Sequence, residues 1–196
     1  MIPRSVPVFV LSVALLGACS VLKPSTAPAP NAAPAAAAAS SPALSDANIA
    51  AIVVAANNAD IQYADQALAR TRDAEIRQFA TMTKKDHESV NTAVVALVTK
   101  LKVTPVDNEI SFNLRDDADV KRQIFRELEG FAFDSAYIHN EVRYHTHVLA
   151  VIDGALIPSA KNAELKELLI AVRPAVAAHL EYAVSLAAKK KTAARR

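Results

Sequence analysis

From Asp46 onward, apolar side chains recur every third or fourth position rather than every second, and they sort into four long stripes of helical period. The first stripe spans 46–70, opened by Ser45 or Asp46 as cap, with Ile49, Val53, Ala56, Ala64 and Ala67 along one face. The second begins after Asp73 and reaches Leu101, with Ile76, Ala80, Thr83, Val90, Val94 and Leu101 inward, and Pro105 stops it. Residues 102–117 read as a polar connection, from which Asp116 or Asp117 caps a short helix through Leu128. Gly130 permits a break before the third long helix, Phe131 to Leu156, whose predicted inward row is Ile138, Val142, Leu149 and Ile152. Pro158 ends that region. The fourth helix runs from Asn162 to Lys189 on Leu165, Leu168, Val172, Val176 and Leu186, with a kink predicted at Pro174.

Helices one and two are joined by a tight turn, as are three and four, whereas a long connection separates two from three. That spacing predicts an all-α, four-helix bundle with one crossover connection and a short extra helix. Burial of the four stripes drives it, at about 1.5 to 3 kcal/mol for each large apolar side chain taken out of water. The composition agrees: three glycines, no tryptophan and many alanines.

Ahead of the stripes, Arg4 precedes an apolar run from Val6 to Leu16, and Leu16-Gly17-Ala18-Cys19 places the only cysteine after small residues. The run has the layout of a secretory signal over 1–18, and the cysteine stands where a lipid is attached on processing. Residues 19–43 then scatter Pro24, Pro28, Pro30, Pro34 and Pro42 among alanine, serine and threonine. With no periodic apolar pattern they read as a tether, biased to polyproline II and able to reach about 70 Å at roughly 3 Å per residue. The bundle occupies 44–188. A basic tail, 189–196, carries Lys189, Lys190, Lys191, Arg195 and Arg196, and is expected to be solvated and frayed.

The formal charge of +2 supplies no global field for nucleic acid. The expected partners are a membrane, through the N-terminal lipid, and an anionic envelope polymer or lipid, through the basic tail.

Polar residues on the apolar faces carry the candidate chemistry. Asp60, His87, His145 and His179 each interrupt an inward row, one per helix. Side chains there need partners, which they find by hydrogen bonding together or by ligating one transition metal ion, with donors suited to zinc, copper or iron. At about 1.5 Å per residue, Asp60 and His87 come within about 5 Å of one level, whereas His145 falls about 9 Å from the level of His179, which matches His139. Asp86, Asp134, Tyr137 and Glu141 are candidate supports behind the set, with Glu141 or Asp134 a nearer partner for His179. His139 and His147 lie off the stripe. Tyr63 and Tyr137 are expected at the core rim, with hydroxyls reaching water or a buried carboxylate. There is no glycine-rich phosphate loop, and no serine or cysteine stands in a nucleophile setting.

Three spaced elements, Phe79-(x)6-Asp86-His87, Gly130-(x)2-Phe133-Asp134-(x)2-Tyr137-(x)7-His145 and Pro174-(x)4-His179-Leu180, resemble the bacterial family called domain of unknown function 4142. The resemblance covers about Asp46 to Leu186. It implies a ferritin-like bundle, export, and recurrent polar positions at Asp60, His87, Asp134, Tyr137, His145 and His179. With Ser20 rather than aspartate after the cysteine, it also implies an outer-membrane lipoprotein facing the periplasm. Departures include Asp60 in place of glutamate and Tyr144 in place of an acidic residue. Catalytic di-iron bundles carry Glu-x-x-His on two helices, yet Lys84, Val142 and Val176 stand three before the histidines here. The pattern therefore favours a non-enzymatic binding or structural, stress-related envelope module. The alternative is a metal-binding redox or stress-protection protein using the histidine and aspartate cluster.

Overall fold

The computed structural model describes residues 44–193, with side chains as far as Lys190. The expected signal segment 1–18, Cys19, the expected tether 19–43, and the side chains of Lys191, Arg195 and Arg196 lie outside the described residues. The described chain is an all-α bundle: α1 Asp46–Arg70, α2 Ala74–Leu101, α3 Glu109–Arg126, α4 Gly130–Val151, a π-helical turn Ile152–Leu156, α5 Ile157–Ser159 and α6 Ala163–Ala193.

Local chemistry sets the ends of α1 and α2. Ser45 Oγ accepts from the Asn48 amide at 3.1 Å while Asn48 Oδ1 accepts from the Ser45 amide at 3.2 Å, a reciprocal cap that starts α1. Asp73 Oδ1 accepts from the amides of Glu75 and Ile76 and starts α2 after a three-residue turn. So short a turn forces the two helices into an antiparallel pair. The start of α6 is tied to the start of α1, because Asp46 accepts from the amides of Lys161 and Asn162 at 2.9 and 3.1 Å.

α1 is buried nearly all round, from Ile49 through Val53 and on to Ala67. The predicted stripe is there, but its opposite side is covered too, because α3 packs along it. This corrects the reading of residues 102–117 as a connection. Asn108, not Asp116 or Asp117, caps α3, with its Oδ1 accepting from Ile110 and Ser111 amides and Ser111 Oγ accepting from the Asn108 amide. Its apolar face, Leu114, Ala118 and Phe125, is buried. Asn108 Nδ2 reaches the Asn48 carbonyl at one end, and Arg70 donates to the carbonyls of Arg126 and Leu128 at the other, so α3 runs parallel to α1.

Gly130 opens α4 at a φ of 53°, in the left-handed region that a side chain disfavours. Of the predicted α4 row, Ile138 and Ile152 are buried, whereas Val142 and Leu149 are half-buried, and the inward face also takes in Tyr137, Asn140, Glu141, Tyr144 and His145. Apolar periodicity finds the ends of this face and shifts its middle, because the middle is polar. The π turn follows, its register shown by the Ile157 amide bonding the Ile152 carbonyl, and helix continues to Ser159.

α6 passes Pro174 as one continuous helix. Pro174 and Ile170 are both on the exposed side, so the Ile170 carbonyl that proline leaves without a donor faces water. The expected frayed tail is instead helical to Ala193, with Lys189 paired to Glu75 and Lys190 to Asp73 across the end of α2.

The core has two halves. Toward the 71–73 turn it is aromatic, with Tyr63, Phe79, Phe125, Phe133 and Tyr137 in edge and stacked contact at 5.7 to 6.3 Å between centroids. Toward the opposite end it is aliphatic, built on Ile49, Ile52, Val94, Ile152, Leu165 and Leu169. A buried polar layer separates them.

Candidate metal centre

The layer consists of Asp60 from α1, His87 from α2, Glu141 and His145 from α4 and His179 from α6, all buried. His87 and His145 ring centroids are 5.8 Å apart, His87 and His179 5.4 Å, and His145 and His179 5.3 Å. The expected offset between His145 and His179 does not occur. Helix runs to Ser159 rather than stopping at Leu156, so His145 lies 14 residues before the end of its arm and His179 lies 16 residues after Ala163. That difference amounts to about 3 Å along the bundle.

Each imidazole donates one ring N–H outward. His87 Nδ1 donates to Asn57 Oδ1 at 2.8 Å, and the Asn57 amide nitrogen donates onward to Asn91 Oδ1 at 2.9 Å, which assigns the acceptor. His145 Nδ1 donates to the Glu141 carbonyl at 3.0 Å. His179 Nε2 donates to Asp86 Oδ2 at 3.0 Å. A carbonyl or carboxylate oxygen only accepts, so these bonds set the tautomers. The other nitrogens, His87 Nε2, His145 Nε2 and His179 Nδ1, are buried without a hydrogen-bond partner, as are both oxygens of Asp60 and of Glu141.

Donor atoms of His87, His145 and His179 lie within 4.8 Å of one another, and so do those of Asp60, Glu141 and His145. His145 belongs to both sets. His87 Nε2 approaches Asp60 Oδ2 to 3.0 Å but off the direction a hydrogen bond takes.

The electrostatics follow from burial. Burial raises Asp60, but attraction to His87 and then to His145 outweighs it and holds the carboxyl below its ordinary range. Burial, with Asp60 adding repulsion, pushes Glu141 well above the carboxylate range. Burial lowers His145 to about 4 despite the attraction of Asp60, with His87 and His179 repelling its charge. His179 is lowered by burial also, partly offset by its bond to Asp86. The three inward imidazole nitrogens cost about 3 to 9 kcal/mol in desolvation at roughly 1 to 3 kcal/mol each, a large part of a domain's net stability of about 5 to 15 kcal/mol. An ion ligated by those lone pairs removes that cost.

Of the sequence candidates, Asp60, His87, His145 and His179 are brought together, and Asp86 orients His179. Glu141 belongs among the donors rather than behind them, and it faces Asp60 and His145, not His179. Asp134 is a correction: eleven residues from His145, about 16 Å along α4, it borders the end of the bundle with Arg70 and Gly130. Tyr137 is also below the layer, 0% exposed with an unpartnered hydroxyl, and Tyr63 is 1% exposed, so neither stands at a rim. His139 and His147 are exposed as expected. Two contributors were missed. Asn57 lies three residues before Asp60 on the same face, a spacing legible in the sequence, and Tyr144 donates to the Ala56 carbonyl at 2.6 Å, bracing α4 against α1.

A family model described as Domain of unknown function (DUF4142) matches residues 29–186. No curated protein and no solved structure matches the chain.

Proposed function

The chain belongs to the DUF4142 family, and on the geometry of its core we propose that it binds one transition metal ion through His87, His145, His179 and Asp60, with Glu141 beside them. The observation that carries this reading is the direction of the imidazoles. All three spend one nitrogen on an outer acceptor and turn an unpartnered nitrogen inward, which is how histidine ligands are held. Three imidazoles and a carboxylate are borderline donors that suit zinc, copper or iron. The protein is read as a metal-binding module of the cell envelope, exported and held at the outer membrane by a lipid on Cys19, with the tether setting its reach. One described helix, α6, is long and apolar enough by composition to cross a membrane, but its inner side carries Leu165, Val176, His179 and Leu186 into the bundle core.

A second reading, a metal-free hydrogen-bonded core, is favoured by the 3.0 Å approach of His87 to Asp60, which becomes an ion pair when His87 is protonated. Elemental analysis of the fragment from Ser41, purified without a histidine tag, separates the two. The metal reading expects near-stoichiometric zinc, copper or iron. It also expects stabilisation by about 2.7 kcal/mol at a hundredfold excess of metal over its dissociation constant, absent in His87→Ala and in His145→Ala. A metal-free protein whose melting ignores both added metal and chelator leaves the hydrogen-bonded core as the answer.

A further inference from the structure

On the aliphatic side of the polar layer is a cavity of about 50 Å³. Its walls come from α1, α2, α3, α4 with the π turn, and α6, and their surface is almost wholly aliphatic, with Ile52, Val90, Ile152, Leu156, Val172 and Val176 among them. His87 and His179 form its end on the polar layer, Asn57, Asp86 and His147 also line it, and Asp60, Glu141 and His145 do not border it. Two of its wall residues, Ile152 and Leu156, are the first and last residues of the π turn, a rare backbone form that recurs at functional sites. Half-buried Val90 of α2 and Val172 of α6 are among its lining residues, as is Asp86, whose side chain is 44% exposed.

We propose that this cavity seats one small, uncharged apolar molecule, of the size of a diatomic gas or a xenon atom, against His87 and His179. Three observations define that occupant. Aliphatic walls offer almost none of the two to four polar partners that hold a water in place, and apolar cavities of this kind stay dry and take up xenon. The volume is about a third of the roughly 150 Å³ that accommodates benzene, so an aromatic ring is too large. The one carboxylate in the lining, Asp86, is bonded to His179 and 44% exposed, so no buried charge remains in the walls to pair with an ion. The molecule therefore stops at the imidazoles, on the face of the layer away from Asp60 and Glu141. The proposal rests on the metal reading only for what the molecule meets at that inner end; the cavity itself is independent of it.

The test is xenon binding to the full-length protein followed by NMR, with metal content measured on the same samples. The expected result is a saturable xenon signal that shifts the ring protons of His87 and His179 but not those of exposed His139. Val172→Phe, or Val90→Phe from the facing helix, should weaken it at least tenfold with metal content unchanged. A wild-type protein whose xenon signal is non-saturable, or the same in both variants, overturns the proposal. Saturable xenon binding to a protein that takes up no metal upholds the cavity and removes the metal reading. Full metal loading without a xenon site does the reverse.

Discussion

At the scale of single residues, His145 and Glu141 respond to pH in opposite senses. The unfolded chain protonates a histidine below about 6.5, but the folded core resists until about 4, so the contribution of His145 is present above 6.5 and is lost as pH falls toward 4. Glu141 keeps a proton in the folded state that the unfolded chain releases above 4.5, so its contribution is present below 4.5 and is lost as pH rises. Between 4.5 and 6.5 the two offset each other. Glu141→Gln removes one of them, and the lowered His179 acts in the same sense as His145. Urea unfolding of the metal-free variant is expected to lose at least about 1.4 kcal/mol of stability per pH unit on acidification through that window, against a shallower slope for the wild type. Equal slopes would show that Glu141 is ionised in the folded core.

At the scale of elements, the helix ends carry stability that the core does not. Lys102 closes α2 in the left-handed conformation at a φ of 54°, where a side chain costs about 1 to 2 kcal/mol and glycine almost nothing. Lys102→Gly is therefore expected to raise stability by about 0.5 to 1 kcal/mol, since part of the gain is returned to the freer unfolded chain. Asn108→Ala removes the cap of α3 and is expected to cost about 1 kcal/mol. Denaturant midpoints of the two variants should move in opposite directions. A neutral Asn108→Ala would mean that packing on α1, rather than the cap, starts α3.

At the scale of the whole molecule, the proposed export and anchoring are expected to be separable from folding. The periodic apolar pattern begins after Leu44, and the described bundle closes on itself by the ties of Asp46 to the start of α6 and of Lys190 to Asp73. Removing residues 1–43 is expected to leave the thermal midpoint unchanged. Cys19→Ser is expected to move an otherwise folded protein from the membrane fraction to the soluble one. Mass spectrometry of the native protein should find a lipid on Cys19 as the new N-terminus. A free thiol at Cys19, or an intact Met1, would show that the Leu16-Gly17-Ala18-Cys19 segment is not a processing site.

The sequence alone determined the all-α class, the bounds of α1 and α2 and the identity of Asp60, His87, His145 and His179 as the polar residues on core faces. Helical period and capping act over a few residues, so both are visible in a window of that length. Ser45 and Asp73 fall where a cap must. What acts over longer range was decided by the tertiary structure. Asn108 is a cap as legible as Ser45, yet the polar run after it hid α3, because the helix is held by burial against α1 rather than by its own composition. Ile138, His145 and Ile152 were legible on the inward face of α4, but Glu141 and Tyr144 were not, because they are core residues only when a facing layer supplies partners. The meeting of His145 and His179 depends on helix continuing through the π turn to Ser159, a shift of three residues that moves one ring by about 5 Å relative to the other. Which nitrogen of each histidine faces inward is set by Asn57, the Glu141 carbonyl and Asp86. Two of those acceptors come from other helices, so only the assembled bundle brings them within reach.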